Sequence, residues 1–357
     1  MTKKIPKKTP VRKGSKDPDL WDLIKSGRKK TRLLGKVEQF LMLREGDDRD
    51  HTVLHPSAMA KSDWCPRAAY FQLAQGTPDE SNTHWRLEMI FDEGKNIHEK
   101  WQTRLWDMGV LSGTWACNAC YHKWEDVSPT QCPHCSRGKK LLEYREVSLR
   151  DDEHLIAGHA DGQIEDGGSP ALLEIKSVGV GTVRNEAPHL LKRHTHTTEQ
   201  GTKVVDADGL WDSIQTPFPS HMRQARIYLW LAKIDQMVVL YESKMNQSVK
   251  EFLVSRDDSF IQDRLDGAKD VAYAMRGGPY PRCPKYPTSC KSCAKFETEE
   301  SDDEADGSES NVQQSEEGST PGSGAGGVRG RRAVARPSPR ERRRRSARLA
   351  ERPDGDV

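Results

Sequence analysis

The chain has 357 residues, 34% hydrophobic and 31% charged, with a formal net charge of +2 that averages 56 basic against 54 acidic residues. That length supports one sizeable core, the polar balance is carried by the two ends, and the overall charge by itself names no partner. No apolar run reaches the roughly 18 residues a membrane span needs, and no apolar stretch follows the basic N-terminus, so the sequence reads as a cytoplasmic protein without signal peptide or membrane segment.

Residues 1–16 hold seven Lys or Arg among Pro, Thr and Gly, the composition of a disordered basic arm that suits either a nucleic-acid contact or plain solubility. Leu20, Leu23 and Ile24, then Val37, Phe40 and Leu41, are spaced for one or two helices over 17–44. Over 55–75, Ser57 fits a helix cap and Tyr70 and Phe71 begin an apolar face beside Cys65, while Arg67 suits a phosphate or a salt bridge equally. Leu87, Ile90, Phe91, Ile97, Trp101 and Leu105 mark one side of a long helix over 83–108. His98 falls among them, where a histidine is more often a packed residue than a ligand.

The eight cysteines divide by spacing. Cys117-x2-Cys120 and Cys132-x2-Cys135, separated by eleven residues, predict a zinc ribbon over 113–140, because each CxxC turn aims two thiolates at one tetrahedral centre. Four thiolates close the shell, so this Zn²⁺ is structural. Lys123, Arg137, Lys139 and Lys140 leave two uses open for the ribbon, gripping DNA or stabilising an excursion. The second set, Cys65 with Cys283-x6-Cys290-x2-Cys293, would tie the start of the fold to its end, and thiolate softness permits zinc or an iron–sulfur cluster.

Residues 155–164 and 171–177 read as two strands around a polar turn. Asp161 lies late in the first. In the second, Glu174 and Lys176 are two apart and share a face while Ile175 points to the core. Two carboxylates with a carbonyl and waters suit Mg²⁺ or Mn²⁺ held against a phosphate, with Lys176 steadying a water or developing charge. The bland alternative is an exposed cross-strand ion pair, but the apolar run ALLEI makes the strand central, where a charge needs a reason. Residues 178–220, rich in Gly, His, Thr and Pro, read as a loop. Residues 219–233 predict a helix that stacks Gln224 and Tyr228 on one side. Strands over 236–241 and 249–254 and a helix over 258–275 follow.

After Phe296 the composition changes: ten acidic residues over 297–317, a Gly/Ser/Pro linker, then eleven arginines over 329–352. None of this can bury a core, and the arginine block suits a DNA tether acting through counterion release.

The segments GKNIHEKWQ around His98, GHADGQIEDGGSPALLEIKS around Asp161 and Glu174, QARIY from Gln224 to Tyr228, and CPRAAYF from Cys65 resemble, in this order, the PD-(D/E)XK nuclease superfamily. Within it they resemble the RecB-like exonucleases, including the iron–sulfur CRISPR-associated and phage members. The resemblance spans roughly residues 55–296. It implies an α/β fold, a restriction-endonuclease-like mixed sheet flanked by helices within a core over 17–296, with the ribbon as an insertion and disordered termini at 1–16 and 297–357. It further implies a metal-dependent deoxyribonuclease, an exonuclease acting on DNA ends or single strands in recombination, replication or repair. His98, Asp161, Glu174 and the Ile175 carbonyl would hold Mg²⁺ or Mn²⁺, Lys176 would complete the catalytic set, and Gln224 and Tyr228 would orient water or the strand. Cys65, Cys283, Cys290 and Cys293 would hold a [4Fe–4S] cluster, although many relatives place the close cysteine pair before the longer gap. Recombination, replication or integrase proteins are the implied partners. Two other readings stand beside it: a DNA-binding or assembly module that no longer cleaves, against which the intact D…ExK set argues, and a nuclease that trims fragments for CRISPR adaptation.

Overall fold

The computed structural model describes residues 32–42, 50–75 and 85–296. The basic arm over 1–16, the first part of the helical region over 17–44, and the acidic and arginine-rich tail over 297–357 lie outside the described residues.

Helices α1 (Leu34–Met42), α2 (Pro56–Met59), α3 (Pro66–Gln75) and α4 (Trp85–Met108) precede the first strand. Strands β1 (Leu111–Cys117), β2 (Lys123–Val127), β3 (Leu142–Arg145), β4 (Val147–Asp151), β5 (Ile156–Ala160), β6 (Gly162–Ile164) and β7 (Ala171–Val178) follow. Then come α5 (Val180–Glu186), α6 (Pro188–Arg193), the hairpin β8 (Thr195–Thr197) and β9 (Lys203–Val205), and α7 (Ala207–Asp212). Helix α8 (Pro219–Ala232), strands β10 (Gln236–Ser243) and β11 (Val249–Ser255), and α9 (Gln262–Met275) complete the core. The central sheet is mixed, in the order β11-β10-β7-β6-β1-β2 with β3 also on β1, and helices flank it. Among the described strands of this sheet the β7–β10 pair is the parallel one, with α8 in the crossover between them.

Strand β7 is the centre. Ala171 to Ile175 are buried in an unbroken run, as expected of a strand covered on both faces. Leu173 and Ile175 pack with Ile97 and Leu105 of α4, while Leu172 packs on the other side with Ala225, Tyr228 and Leu229 of α8. Helix α8 starts at Pro219, whose missing N–H would have no partner in a first turn, and its chain reverses at Lys233 with φ 56°.

Three local readings change. The strand expected over 155–164 is broken at Asp161: β5 pairs with β4 in a separate two-stranded sheet, and β6 pairs with β7 and β1. The chain switches sheets at the aspartate, which two-residue alternation cannot reveal. The stretch read as a loop over 178–220 is a cover instead, burying Val183, Ala187, Leu210, Trp211, Ile214 and Phe218 against the β7–β10 face. Its helices have only six or seven residues, too few for a periodic signal, and α7 is set by its cap, with Asp206 accepting from the Gly209 N–H at 3.0 Å. Finally, β1 carries the first knuckle at its end yet pairs with β6, so the cysteine ribbon grows from the central sheet itself.

Candidate active site and cysteine centres

Helix α4 presents His98 and, four residues on, Gln102 from one face. Gln102 Nε2 donates to the Asp161 carbonyl at 2.8 Å, and His98 Nδ1 lies 3.2 Å from Asp161 Oδ1. The rotation of the helix is fixed from its other side, where buried Glu242 of β10 accepts from Lys100 Nζ at 2.5 Å and Trp101 Nε1 at 2.6 Å. Asp161 Oδ2 accepts the Ile175 N–H at 2.6 Å, so the carboxylate stands in for a ladder bond where the strand breaks.

Glu174 and Lys176 share the β7 face that meets α8. Lys176 Nζ lies 2.6 Å from Glu174 Oε1, and Gln224 bridges the pair, donating through Nε2 to Glu174 Oε1 at 2.8 Å and accepting from Lys176 Nζ at 3.1 Å. Glu174 is 2% exposed, and its second oxygen, Oε2, is buried with no hydrogen-bond partner among the described residues. Tyr228 is buried one turn beyond Gln224, with its ring against Gly158. A Cβ at Gly158 would stand 2.9 Å from Pro56 Cδ and 3.1 Å from Tyr228 Cε1, so only glycine allows β5 this close to the helix.

Burial pushes the Glu174 carboxyl up to about 7, reinforced by Asp161 and opposed by Lys176 and His98. Burial would lower His98 and Lys176, but the Asp161 hydrogen bond and the carboxylate charges outweigh it, and both are raised. Burial raises the Tyr228 phenol, keeping it a donor. His221, one turn before Gln224, is pushed down to about 3 by burial and the Lys176 charge. Its Nδ1 meets Tyr241 Oη at 2.5 Å; that oxygen already accepts the Phe218 N–H, so it donates to a neutral imidazole.

The structure therefore brings together His98, Asp161, Ile175, Glu174, Lys176, Gln224 and Tyr228. Sequence reasoning missed Gln102, Glu242 and Glu146. Gln102 was within reach, at i+4 from His98 on the same helix. Glu242 carried the signal of a charge ending an apolar strand. Glu146 sits between two short strands in a charged stretch and had none. Its carboxylate, with His98 and Asp161, forms a trio whose donor atoms all lie within 4.8 Å of one another. Hard carboxylate oxygens with one imidazole fit a divalent cation such as Mg²⁺ or Mn²⁺, and the orphaned Glu174 Oε2 belongs to a carboxylate that interacts by charge with Asp161 and His98.

Both cysteine sets close. In the ribbon, Cys117 and Cys135 sulfurs are 3.6 Å apart and those of Cys120 and Cys132 3.7 Å. Sulfurs at about 2.3 Å from a tetrahedral zinc stand about 3.8 Å apart, so the ribbon fits that ion. In the second set the Cys65–Cys293 and Cys290–Cys293 sulfurs are 3.1 and 3.3 Å apart, and the four buried thiols converge into a soft donor set that suits zinc or an iron–sulfur cluster. Burial opposes ionisation of Cys117 and Cys290. The N–H groups of Ala119 and Cys120 in one knuckle, and of Cys293 in the other, outweigh it and bring each thiol to about 7.

No protein-family profile and no curated protein matches the chain. Among solved structures, SSO0001 is similar at 13% identity over 72% of this chain and 88% of that one, with a TM-score of 0.31. The alkaline exonuclease LHK-Exo from Laribacter hongkongensis is similar at 10% identity over 64% of this chain and 89% of its own, with a TM-score of 0.34. Its complex with dAMP gives 11% identity over the same shares and the same TM-score of 0.34. At TM-scores this low the likeness decides nothing, and the chemistry rests on the site's own geometry. Among the described residues no helix is long and apolar enough to cross a membrane.

Proposed function

We propose that the protein is a metal-dependent deoxyribonuclease of the PD-(D/E)XK, RecB-like type, built on a restriction-endonuclease-like core and acting on DNA ends or single strands. The observation that carries this reading is the buried Glu174 carboxylate. One oxygen is fixed by Lys176 and Gln224, and the other has no hydrogen-bond partner among the described residues, on a carboxylate that senses the charges of Asp161 and His98.

Asp161, Glu174, His98 and the Ile175 carbonyl would hold Mg²⁺ or Mn²⁺, which when bound polarises a scissile phosphate and lowers the pKa of a water beside it. The chain's own groups do the remaining work. Asp161, anchored by the Ile175 N–H and by Gln102 on its carbonyl, keeps a set geometry before substrate arrives. Lys176 keeps its proton beside Glu174 and offsets the negative charge that builds on the phosphate in the transition state. Gln224 fixes both oppositely charged neighbours with one amide, and Tyr228 offers a phenolic proton to a water or to the strand. The ribbon would carry structural zinc. The second tetrad would carry either zinc or a [4Fe–4S] cluster that closes the fold.

The test is digestion of end-labelled single- and double-stranded DNA by wild type, Asp161→Ala and Glu174→Ala, with Mg²⁺, Mn²⁺ or no added cation. Loss of one ligand should reduce the rate by about three orders of magnitude, some 4 kcal/mol of barrier, while DNA binding persists. Undiminished digestion by both variants would sink the assignment.

A further inference from the structure

We propose that the outer face of the zinc ribbon is a stacking platform for the unpaired bases of single-stranded DNA, presented by the rings of Tyr121, His122 and His134. That the strand is DNA rests on the nuclease reading above.

Three rings lie in a row on the ribbon. His134, between the two cysteines of the second knuckle, faces His122 at 5.4 Å between centroids with 27° between planes, and His122 faces Trp124 at 5.8 Å and 12°. His122 and Trp124 are two residues apart, the spacing that sets side chains on one face of a strand, and β2, which His122 precedes, ends the order of the central sheet. Trp124 is half-buried against the ribbon's core, but both imidazoles are exposed, so packing accounts for only one end of the row. The row joins turns from both knuckles, and one metal closed upon by all four thiols would fix it before a ligand arrives.

Tyr121 gives a second observation. It follows Cys120 with φ 59°, a left-handed backbone that bulky side chains rarely adopt, and it is 83% exposed. Ser136 holds the equivalent place after Cys135 with φ 56°, so the turn itself needs no aromatic ring. A large ring kept in a disfavoured backbone and left in solvent points to a contact outside the chain. Charge agrees. Among the described residues the exposed Lys123, Arg137 and Lys140 of the ribbon are in no ion pair, while Lys139 is engaged by Asp107 and the Trp106 ring. The acids of β2 are held locally: Glu125 accepts from Thr114 Oγ1 at 2.5 Å and Asp126 from Trp124 Nε1 at 3.2 Å. Cations follow the phosphates of a single strand and ring faces take its bases, whereas a duplex keeps its base faces inside its own stack. Strand β1, which carries the first knuckle, pairs with β6, which begins one residue after Asp161, so the platform is built on the sheet that holds the candidate site.

The experiment measures equilibrium binding of the full-length, zinc-loaded protein, without added divalent cation, to three labelled oligonucleotides: a single strand, the same strand made abasic throughout, and a blunt duplex. Wild type is compared with a variant combining Tyr121→Ser, His122→Ala and His134→Ala, with zinc checked by elemental analysis and folding by circular dichroism. Loss of one base–ring stack weakens binding about fivefold or more, so the variant should bind the intact strand at least about tenfold more weakly. Its affinity for the abasic strand and the duplex should change less than about twofold, because the phosphate contacts remain. Undiminished binding of the intact strand by the folded variant overturns the platform, as does a loss on the abasic strand or the duplex as large as that on the intact one. Should the variant fail to fold, ultraviolet cross-linking of an iodouracil-bearing strand to wild type decides: cross-links at Tyr121, His122 or His134 sustain the platform, and cross-links only elsewhere overturn it. Digestion of the labelled strand with Mg²⁺ separates the two claims. Ring-dependent binding without digestion removes the nuclease reading alone, and digestion without ring-dependent binding removes the platform alone.

Discussion

The two cysteine tetrads have the same donors but close very different lengths of chain. In the ribbon, Cys117 and Cys135 are 18 residues apart, on turns that hang from β1. In the other, Cys65 meets Cys293 across 228 residues, beside the junction of α3 with α9. Loop-closure entropy grows with the logarithm of loop length, so the long clasp removes about 2 kcal/mol more freedom from the unfolded chain than the local staple does. The clasp also orders its surroundings: Phe71 stacks on Phe296 and packs on Tyr280, with the Arg67 guanidinium over both Phe71 and Tyr280. A local site stabilises a hairpin, whereas a long-range site holds a fold shut.

The largest effect should come from breaking the clasp. Cys290→Ser should lose the metal of the second tetrad and lower the unfolding temperature of the whole core, because a structural metal's binding energy is folding energy worth several kcal/mol. Cys120→Ser should lose ribbon zinc with a much smaller drop. Calorimetry with elemental analysis of anaerobically purified protein reads both, and also tells iron from zinc in the clasp. Equal losses of stability in the two variants would mean that chain length closed does not distinguish them.

The same contrast divides the candidate site. Glu174, Lys176 and Gln224 come from one strand and the helix that follows in its crossover, and they hydrogen-bond one another through Glu174 Oε1. His98, Glu146 and Asp161 come from three separate segments and leave charge unbalanced. Lys176→Met tests the first group: it leaves the Glu174 carboxylate buried without its cation. Breaking a buried pair costs about 3–5 kcal/mol. Because the Lys176 side chain is still 21% exposed, the lower end, about 3 kcal/mol, is expected. Urea unfolding measures it, and adding Glu174→Gln should recover stability while digestion stays lost. A stable single variant would show that water already compensates Glu174.

This division also explains what was legible. Glu174 with Lys176, Gln224 with Tyr228, and the ribbon's CxxC pairs are two, three or four residues apart, so strand, helix and turn geometry put them on one side without knowledge of the rest. The mixed sheet flanked by helices followed from the order of periodic segments. Glu146 could not be read that way, since it lies just outside the β4–β5 ladder, which ends at Val147 with Ala160, and comes near Asp161 only where the chain switches sheets. The cover over residues 178–220 was missed because each of its helices has only six or seven residues, too few to repeat the helical period over a readable window.

A smaller effect is expected at Gln224. Gln224→Ala should keep the fold but free Glu174 and Lys176 to turn, costing about tenfold in digestion rate, or about 1.4 kcal/mol of barrier. Tyr228→Phe, which removes only a phenolic oxygen, should cost less. Single-turnover digestion at saturating Mg²⁺ ranks them, and the reverse order would move the orienting role from the amide to the phenol.

The site should also show a pH dependence of stability in the absence of added divalent cation. Burial raises Glu174 in the fold to about 7, above its value of about 4.3 in an unfolded chain. A raised folded value means the folded state holds the proton more tightly. The contribution is complete below the unfolded value and is lost as pH rises through about 7. His98 is raised as well, through Asp161 and Glu174, so its contribution is present below its unfolded value near 6.5 and fades above its folded one, with the same sign. Wild type should therefore melt at a lower temperature at pH 8 than at pH 5.5, and Glu174→Gln should show a shallower fall. Each tenfold gain in proton affinity on folding is worth roughly 1.4 kcal/mol, and a domain of this size melts about 2–4 °C lower per kcal/mol lost, so the difference is several degrees. Mg²⁺ favours the ionised carboxylates, so it should restore the loss at pH 8 in wild type and do so only weakly in the glutamine variant. Melting curves at the two pH values, with and without Mg²⁺, make the measurement. Parallel falls in wild type and Glu174→Gln would show that Glu174 is ionised throughout, held so by Lys176 alone.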